Sequence, residues 1–199
     1  MVREFNAKFW FPSLKSFFNS FYHITVDITA LIIKAIWHNF PVNPNSQVIP
    51  LRLFVEQTLK RSQTGWSTLL SALFYLMRIK PQIKILWHNP DSWSLNSKDD
   101  KGGDPDPATC GRRMFLASLI LASKYLLDQN CANNTWSKKC GLPVQQINVI
   151  ERRFLDLIDY KLFIGEDEYK IWIQNVWKLH RLLINNQIGK FYLINVVSF

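Results

Sequence analysis

Glycine is scarce in this chain, seven in 199 residues, and the scarcity restricts what the protein can be. Phosphate-binding loops use glycine to bring backbone N–H groups close to the ligand, and neither a G-x-G-x-x-G run nor a P-loop occurs. All-β sandwiches and barrels need turn signals roughly every 8–12 residues, an interval at which the apolar stretches here are not broken. Only three cysteines are present, Cys110, Cys131 and Cys140, with no C-x-x-C pair. That argues against a disulfide framework or a zinc site and for a reducing compartment. The histidines His23, His38, His88 and His180 are scattered, with no H-E-x-x-H or similar metal spacing. No catalytic constellation, metal or cofactor is therefore expected. Long hydrophobic runs are missing too. Residues 28–33 lie between Asp27 and Lys34, and residues 114–122 between Arg113 and Lys124. A membrane span needs about 20 apolar residues, so both stretches are predicted to be helices buried in a soluble core.

What is present is hydrophobic and basic. At 48% hydrophobic and 14% aromatic the chain can fill a core, and its length suits one domain with extensions. The formal net charge of +9 favours anionic partners, whether nucleic acid, anionic lipid or acidic protein surfaces. Asn133-Asn134-Thr135 has the form of a glycosylation sequon, but with no secretory signal it is expected to be idle.

Residues 1–25 form an aromatic and basic arm. Its readings are a loose or packed extension or, alternatively, an amphipathic helix on a membrane surface. Helical spacing of Ile28, Leu31, Ile32, Ala35 and Ile36 places a helix in residues 26–49, ended by Pro41 and Pro44. Pro50 opens the next helix, whose buried face is Leu51, Phe54, Val55, Thr58 and Leu59. A turn over residues 61–65 precedes a third helix capped by Ser67 or Thr68, with a stripe of Leu69, Leu70, Leu73, Leu76 and Met77 and an end near Pro81. Residues 81–110 are predicted to be a long connection, either a mobile insertion, the favoured reading, or a functional loop.

Residues 112–128 read as a helix apolar on nearly every side, which belongs at the centre of a bundle. Its small residues Ala117, Ser118, Ala122 and Ser123 let neighbours approach closely. Arg112 and Arg113 either neutralise nearby acidic groups or solvate its start, the second being the favoured reading. Thr135 caps a short helix closed by Gly141. Pro143 then opens a helix with Ile147, Ile150, Phe154, Leu157 and Ile158 inside and Arg152, Arg153, Asp156 and Asp159 outside. Residues 166–184 form a last amphipathic helix, and 185–199 an apolar tail.

The run Arg112-Arg113-Met114-Phe115-Leu116-Ala117-Ser118-Leu119-Ile120-Leu121-Ala122-Ser123-Lys124-Tyr125-Leu126-Leu127-Asp128 resembles the third helix of the cyclin box in fungal cyclins of the PCL type. Trp136-Ser137-Lys138 is similar to their short fourth helix, and Arg61-Ser62-Gln63-Thr64 with Ser67-Thr68-Leu69 to their junction between helices one and two. The resemblance covers residues 50–165. It implies an all-α fold, a single five-helix cyclin box with a helix on each side. It also implies a non-enzymatic subunit that activates a cyclin-dependent Ser/Thr kinase and helps select its substrates, in the nucleus or cytoplasm. The family's kinase-binding lysine and glutamate fall on Lys124 and Glu151. Phe54, Leu59 and Tyr125 are candidates for the border of that surface, each also readable as core. The rival reading is a single cyclin-fold module that binds nucleic acid. Membrane contact is expected only through the arm.

Overall fold

The computed structural model describes residues 12–40, 48–89 and 106–184, with side chains from residue 20 onward. Seven α-helices follow in order: α1 Pro12–Ile36, α2 Leu51–Ser62, α3 Trp66–His88, α4 Gly111–Leu126, α5 Asn133–Cys140, α6 Val144–Leu157 and α7 Glu166–Ile184. A short 3-10 turn, Pro107–Thr109, leads into α4. No strand occurs among the described residues. The five helices α2–α6 form the box, with α1 and α7 packed against each other and α1 against α2, α3 and α4.

Helix α4 is central because every residue from Met114 to Ser123 is buried, and it touches α1, α2, α3 and α6. Such close neighbours need a side without bulk, and Gly111 supplies it. A Cβ there would lie 2.8 Å from Ile33 Cγ2 and 3.0 Å from the Trp37 ring, so α1 crosses the start of α4 at backbone distance. On α1 the buried threonines donate back along the helix, Thr25 Oγ1 to Phe21 O at 2.8 Å and Thr29 Oγ1 to Thr25 O at 2.9 Å. Their hydroxyls thereby enter the core satisfied. Gly141 ends α5 in the left-handed conformation, φ 77°, which a Cβ would oppose.

Several expectations need correction. Helix α1 runs across the boundary placed at residue 25, and Phe21, assigned to the arm, packs against Trp66, Trp177 and His180. Helix α3 begins at Trp66 on Gly65, without a side-chain cap from Ser67 or Thr68. It then continues through Pro81 to His88. Proline removes one backbone donor and clashes with the preceding turn, yet Pro81 lies on the exposed face while Ile79, Ile83 and Leu86 hold the opposite face in the core. The indole of Trp87 donates to Asn39 O at 3.1 Å and ties the extension to the end of α1. Helix α5 starts two residues before the expected cap Thr135. The expected mobile insertion shrinks from both ends, and residues 90–105 lie outside the described residues, as do 1–11, 41–47 and 185–199.

The largest correction is Asp106. It was placed in the polar insertion, but it is 4% exposed and lies against Arg153, which was expected on the outer face of α6. Arg153 Nη2 donates to Asp106 Oδ2 at 2.6 Å, and Nε lies 3.0 Å from both carboxylate oxygens. Asp106 Oδ1 also accepts from Ala108 N at 2.8 Å, and Ala108 O accepts from Trp37 Nε1 at 2.8 Å. One carboxylate thus joins the entry to α4 to α6, and the turn it caps is joined to α1. Arg112 is also only partly solvated. Its guanidinium stacks over Phe54 at 5.4 Å, Nη1 is buried without a hydrogen bond, and burial pushes its pKa below the ordinary value.

Two measurements check this packing. Asp106→Ala strands a largely buried guanidinium, and chemical denaturation is expected to show a loss of about 3–5 kcal/mol. His180 is 4% exposed between Phe21 and Trp177, and burial lowers its pKa from 6.5. The unfolded chain then takes up a proton before the native state does. The stabilisation from a neutral ring is complete above about pH 6.5 and falls as pH drops toward the lower native pKa. His180→Leu should flatten the decline in melting temperature between about pH 7 and pH 5.5 relative to the wild-type chain.

Candidate functional site

Lys124 sits in the last turn of α4 and Glu151 in the middle of α6, 27 positions apart in the chain. The fold brings them together: Lys124 Nζ donates to Glu151 Oε1 at 2.6 Å. Both groups are accessible in part, with side-chain exposures of 31% for Lys124 and 12% for Glu151. Lys124 follows ten buried residues and is the first charge that α4 can bring out of the core. Glu151 follows buried Ile150 and stands at the edge of the buried face of α6. Glu151 and Arg153 are two positions apart, roughly 200° around the helix. One therefore faces the C-terminal end of α4 and the other its entry.

The second oxygen of Glu151 is held from α5. Asn133 Nδ2 donates to Glu151 Oε2 at 2.7 Å and to Asn148 Oδ1 at 2.7 Å. The sequon asparagine is therefore engaged in this cluster. Its own carbonyl oxygen is buried without a hydrogen-bond partner.

Apolar side chains lie exposed beside the pair. Tyr125, Leu126 and Leu127 follow Lys124 and are 49%, 45% and 45% exposed. One turn beyond Glu151, half-buried Leu155 leads to the segment after α6, where Tyr160 and Phe163 stand out at 64% and 72% exposure. Asp159 and Tyr160 are consecutive non-glycine residues in the left-handed region, φ 54° and 56°, a conformation that must be held from outside. Helix α3 holds it. Tyr75 Oη donates to Leu162 O at 2.8 Å, and Arg78 Nη1 donates to Lys161 O at 2.6 Å and Phe163 O at 2.9 Å. Burial, with Tyr125 close by, pushes the Tyr75 pKa up to about 12, so the phenol remains a donor.

The other candidates fare differently. Tyr125 is exposed next to Lys124. Leu59 is 5% exposed and belongs to the core, where it offers a partner nothing. Phe54 is half-buried and meets Phe115 edge-on with ring centroids 6.4 Å apart. Phe115 lies nine residues before Lys124 on α4, about 13 Å along the axis, so Phe54 does not border the pair. The sequence marks Asn133 only as part of an idle sequon, and does not mark Tyr160 or Phe163 at all. The only available signal was a pair of bulky side chains in a polar turn. Among the described residues no group of three or more His, Cys, Asp or Glu is arranged to hold a metal, and no helix is long and apolar enough to cross a membrane. The three cysteines are free thiols.

Comparison with known proteins adds family information to this geometry. Residues 106–162 match the cyclin family model, a segment that begins at Asp106 and contains both Lys124 and Glu151. The chain is 32% identical over 128 residues to the G1/S-specific cyclin pas1 of Schizosaccharomyces pombe, covering 64% of this chain and 28% of that protein. It is 29% identical over 122 residues to PHO85 cyclin-5 of Saccharomyces cerevisiae, covering 61% of this chain and 48% of the relative. PHO85 cyclin-2 of the same yeast is 27% identical over 142 residues, covering 70% and 41%. The chain thus spans less than half the length of each of these relatives. No solved structure matches it.

The proximity of the two charges has a direct test. Lys124→Glu alone sets like charges against each other and should cost about 1–2 kcal/mol, between the values for exposed and buried pairs. Adding Glu151→Lys should return most of the loss. A cycle of thermal melts on the four variants reads the coupling.

Proposed function

We propose that this chain, a cyclin of the PCL type by its sequence similarity, is the regulatory subunit of a cyclin-dependent Ser/Thr protein kinase. One observation carries the reading. A lysine and a glutamate from different helices meet 2.6 Å apart at the surface, and the pair is followed along the chain by exposed Tyr125, Leu126 and Leu127. Hydrogen-bonding charges inside an apolar border are the anatomy of an energetic anchor in a protein interface.

The reaction belongs to the kinase. In the family this chain resembles, the lysine and glutamate engage backbone groups beside the kinase's mobile C-helix. Docking there moves that helix inward, so that its glutamate pairs with the lysine that orients the ATP phosphates. Activation is then a population shift: the chain binds the active arrangement better than the inactive one and moves the equilibrium by that difference. Tyr160 and Phe163 extend the surface past Glu151, in a segment already fixed by Tyr75 and Arg78. Their rigidity lowers the ordering cost of binding. Substrates of the kinase would meet the chain elsewhere on its surface, in the nucleus or cytoplasm.

The double variant Lys124→Glu/Glu151→Lys keeps an ion pair within the fold and reverses what a partner meets. It should lose stimulation of a PCL-type kinase while melting close to the wild-type temperature, with an affinity loss of about thirtyfold or more. Kinase assays and binding titrations with the intact chain provide the check, and undiminished activation by the folded double variant would remove the pair from the interface.

A further inference from the structure

Glu151 has two carboxylate oxygens, and Lys124 occupies only one. The geometry points to Asn133 as the positioning residue that sets the Lys124–Glu151 pair for its partner, an inference that rests on the kinase-binding reading above. Asn133 is the first residue of α5, and its Nδ2 reaches Glu151 Oε2 and Asn148 Oδ1, each at 2.7 Å. Both amide protons are therefore committed, one to each acceptor. Glu151 is gripped from two helices at once, with α4 supplying the charge and α5 a neutral donor.

The two contacts do different work. The ammonium of Lys124 ends a flexible four-carbon stem and is a compact point charge without a fixed direction. It attracts the carboxylate but does not orient it. The planar amide of Asn133 is short, and its placement is set by α5, which packs against both α2 and α6. With Oε2 held by Asn133, the carboxylate plane is fixed, and the remaining lone pairs of Oε1 and Oε2 keep one direction toward a partner.

A cost in the fold supports a role beyond stability. Asn133 Oδ1 is buried with no hydrogen-bond partner, and a bare buried acceptor is unfavourable. A residue chosen only to stabilise the start of α5 would be a Ser, Thr or Asp cap at the preceding position, where Ala132 stands and no side-chain cap is made. The amide instead spends its donors on Glu151 and on Asn148, an exposed residue one turn before Glu151 on α6. Buried polar groups that are incompletely satisfied belong with positions held for function.

The test is a double-mutant cycle on the intact chain with a PCL-type kinase, read as dissociation constants alongside melting temperatures. Asn133→Leu should weaken kinase binding roughly tenfold, the scale of a hydrogen bond to a charged group. In a Glu151→Gln background the same substitution should change affinity by less than about twofold, because the carboxylate it positions is gone. Should Asn133→Leu fail to fold, Asn133→Ala removes the donor without adding a charge and is read in the same cycle. Equal losses in both backgrounds, or no loss in either, overturn the positioning role while leaving the kinase reading intact. A wild-type chain that binds no such kinase overturns the kinase reading, and this inference with it.

Discussion

The buried pair between Asp106 and Arg153 is the contact on which the arrangement of the bundle depends. A carboxylate 4% exposed needs a cation close by, and Arg153 meets it through Nε and Nη2. That requirement brings the segment before α4 against α6. The turn that Asp106 caps is in turn hydrogen-bonded to Trp37, the residue after α1. Gly111 then lets α1 lie directly across the first turn of α4. Three helices are registered at one junction before the hydrophobic core is considered.

Register at that end has consequences at the other. Helix α4 is a rod of 16 residues buried from Met114 to Ser123, and such a rod transmits position because close-packed interiors do not slide continuously. With its entry fixed to Arg153, its exit places Lys124 beside Glu151, two residues back on the same helix α6. The two ion pairs differ in character. Asp106–Arg153 is nearly enclosed and its role is structural, whereas Lys124–Glu151 retains enough exposure to meet another molecule. A pair already satisfied internally also spares the free chain two unpartnered charges in an apolar border. A partner must then compete with or add to that pair, which makes its orientation matter.

Much of this was legible in the residues. Helical periodicity located the buried face of α6 through Ile147, Ile150, Phe154 and Leu157, all buried as expected. The apolar stretch of α4, broken only by small residues, marked the central helix. The similarity of residues 112–128 to a cyclin-box helix drew attention to Lys124 and, through the matching position on α6, to Glu151. Asp106 was hidden because it lies among other charged and breaking residues, where one carboxylate looks like the next. Pro81 appeared to be a helix end because its local cost is real, and only the burial of Ile79, Ile83 and Leu86 overrides it. Tyr160 and Phe163 gave little warning, since their exposure depends on a backbone held by Tyr75 and Arg78, more than eighty residues earlier.

The sequence by itself determined an all-helical fold over the described residues with α4 inside, because these follow from the spacing and composition of neighbouring residues. Tertiary structure decided which charges meet. Arg112 and Arg153, both read from sequence as solvated, are partly removed from bulk water, one over an aromatic ring and one against a carboxylate. It also decided that Asn133 would orient Glu151 across 18 positions of chain. The periodicity of a helix says which residues turn inward. It does not contain the distance between two side chains on different helices, and that distance governs an electrostatic or hydrogen-bonded contact.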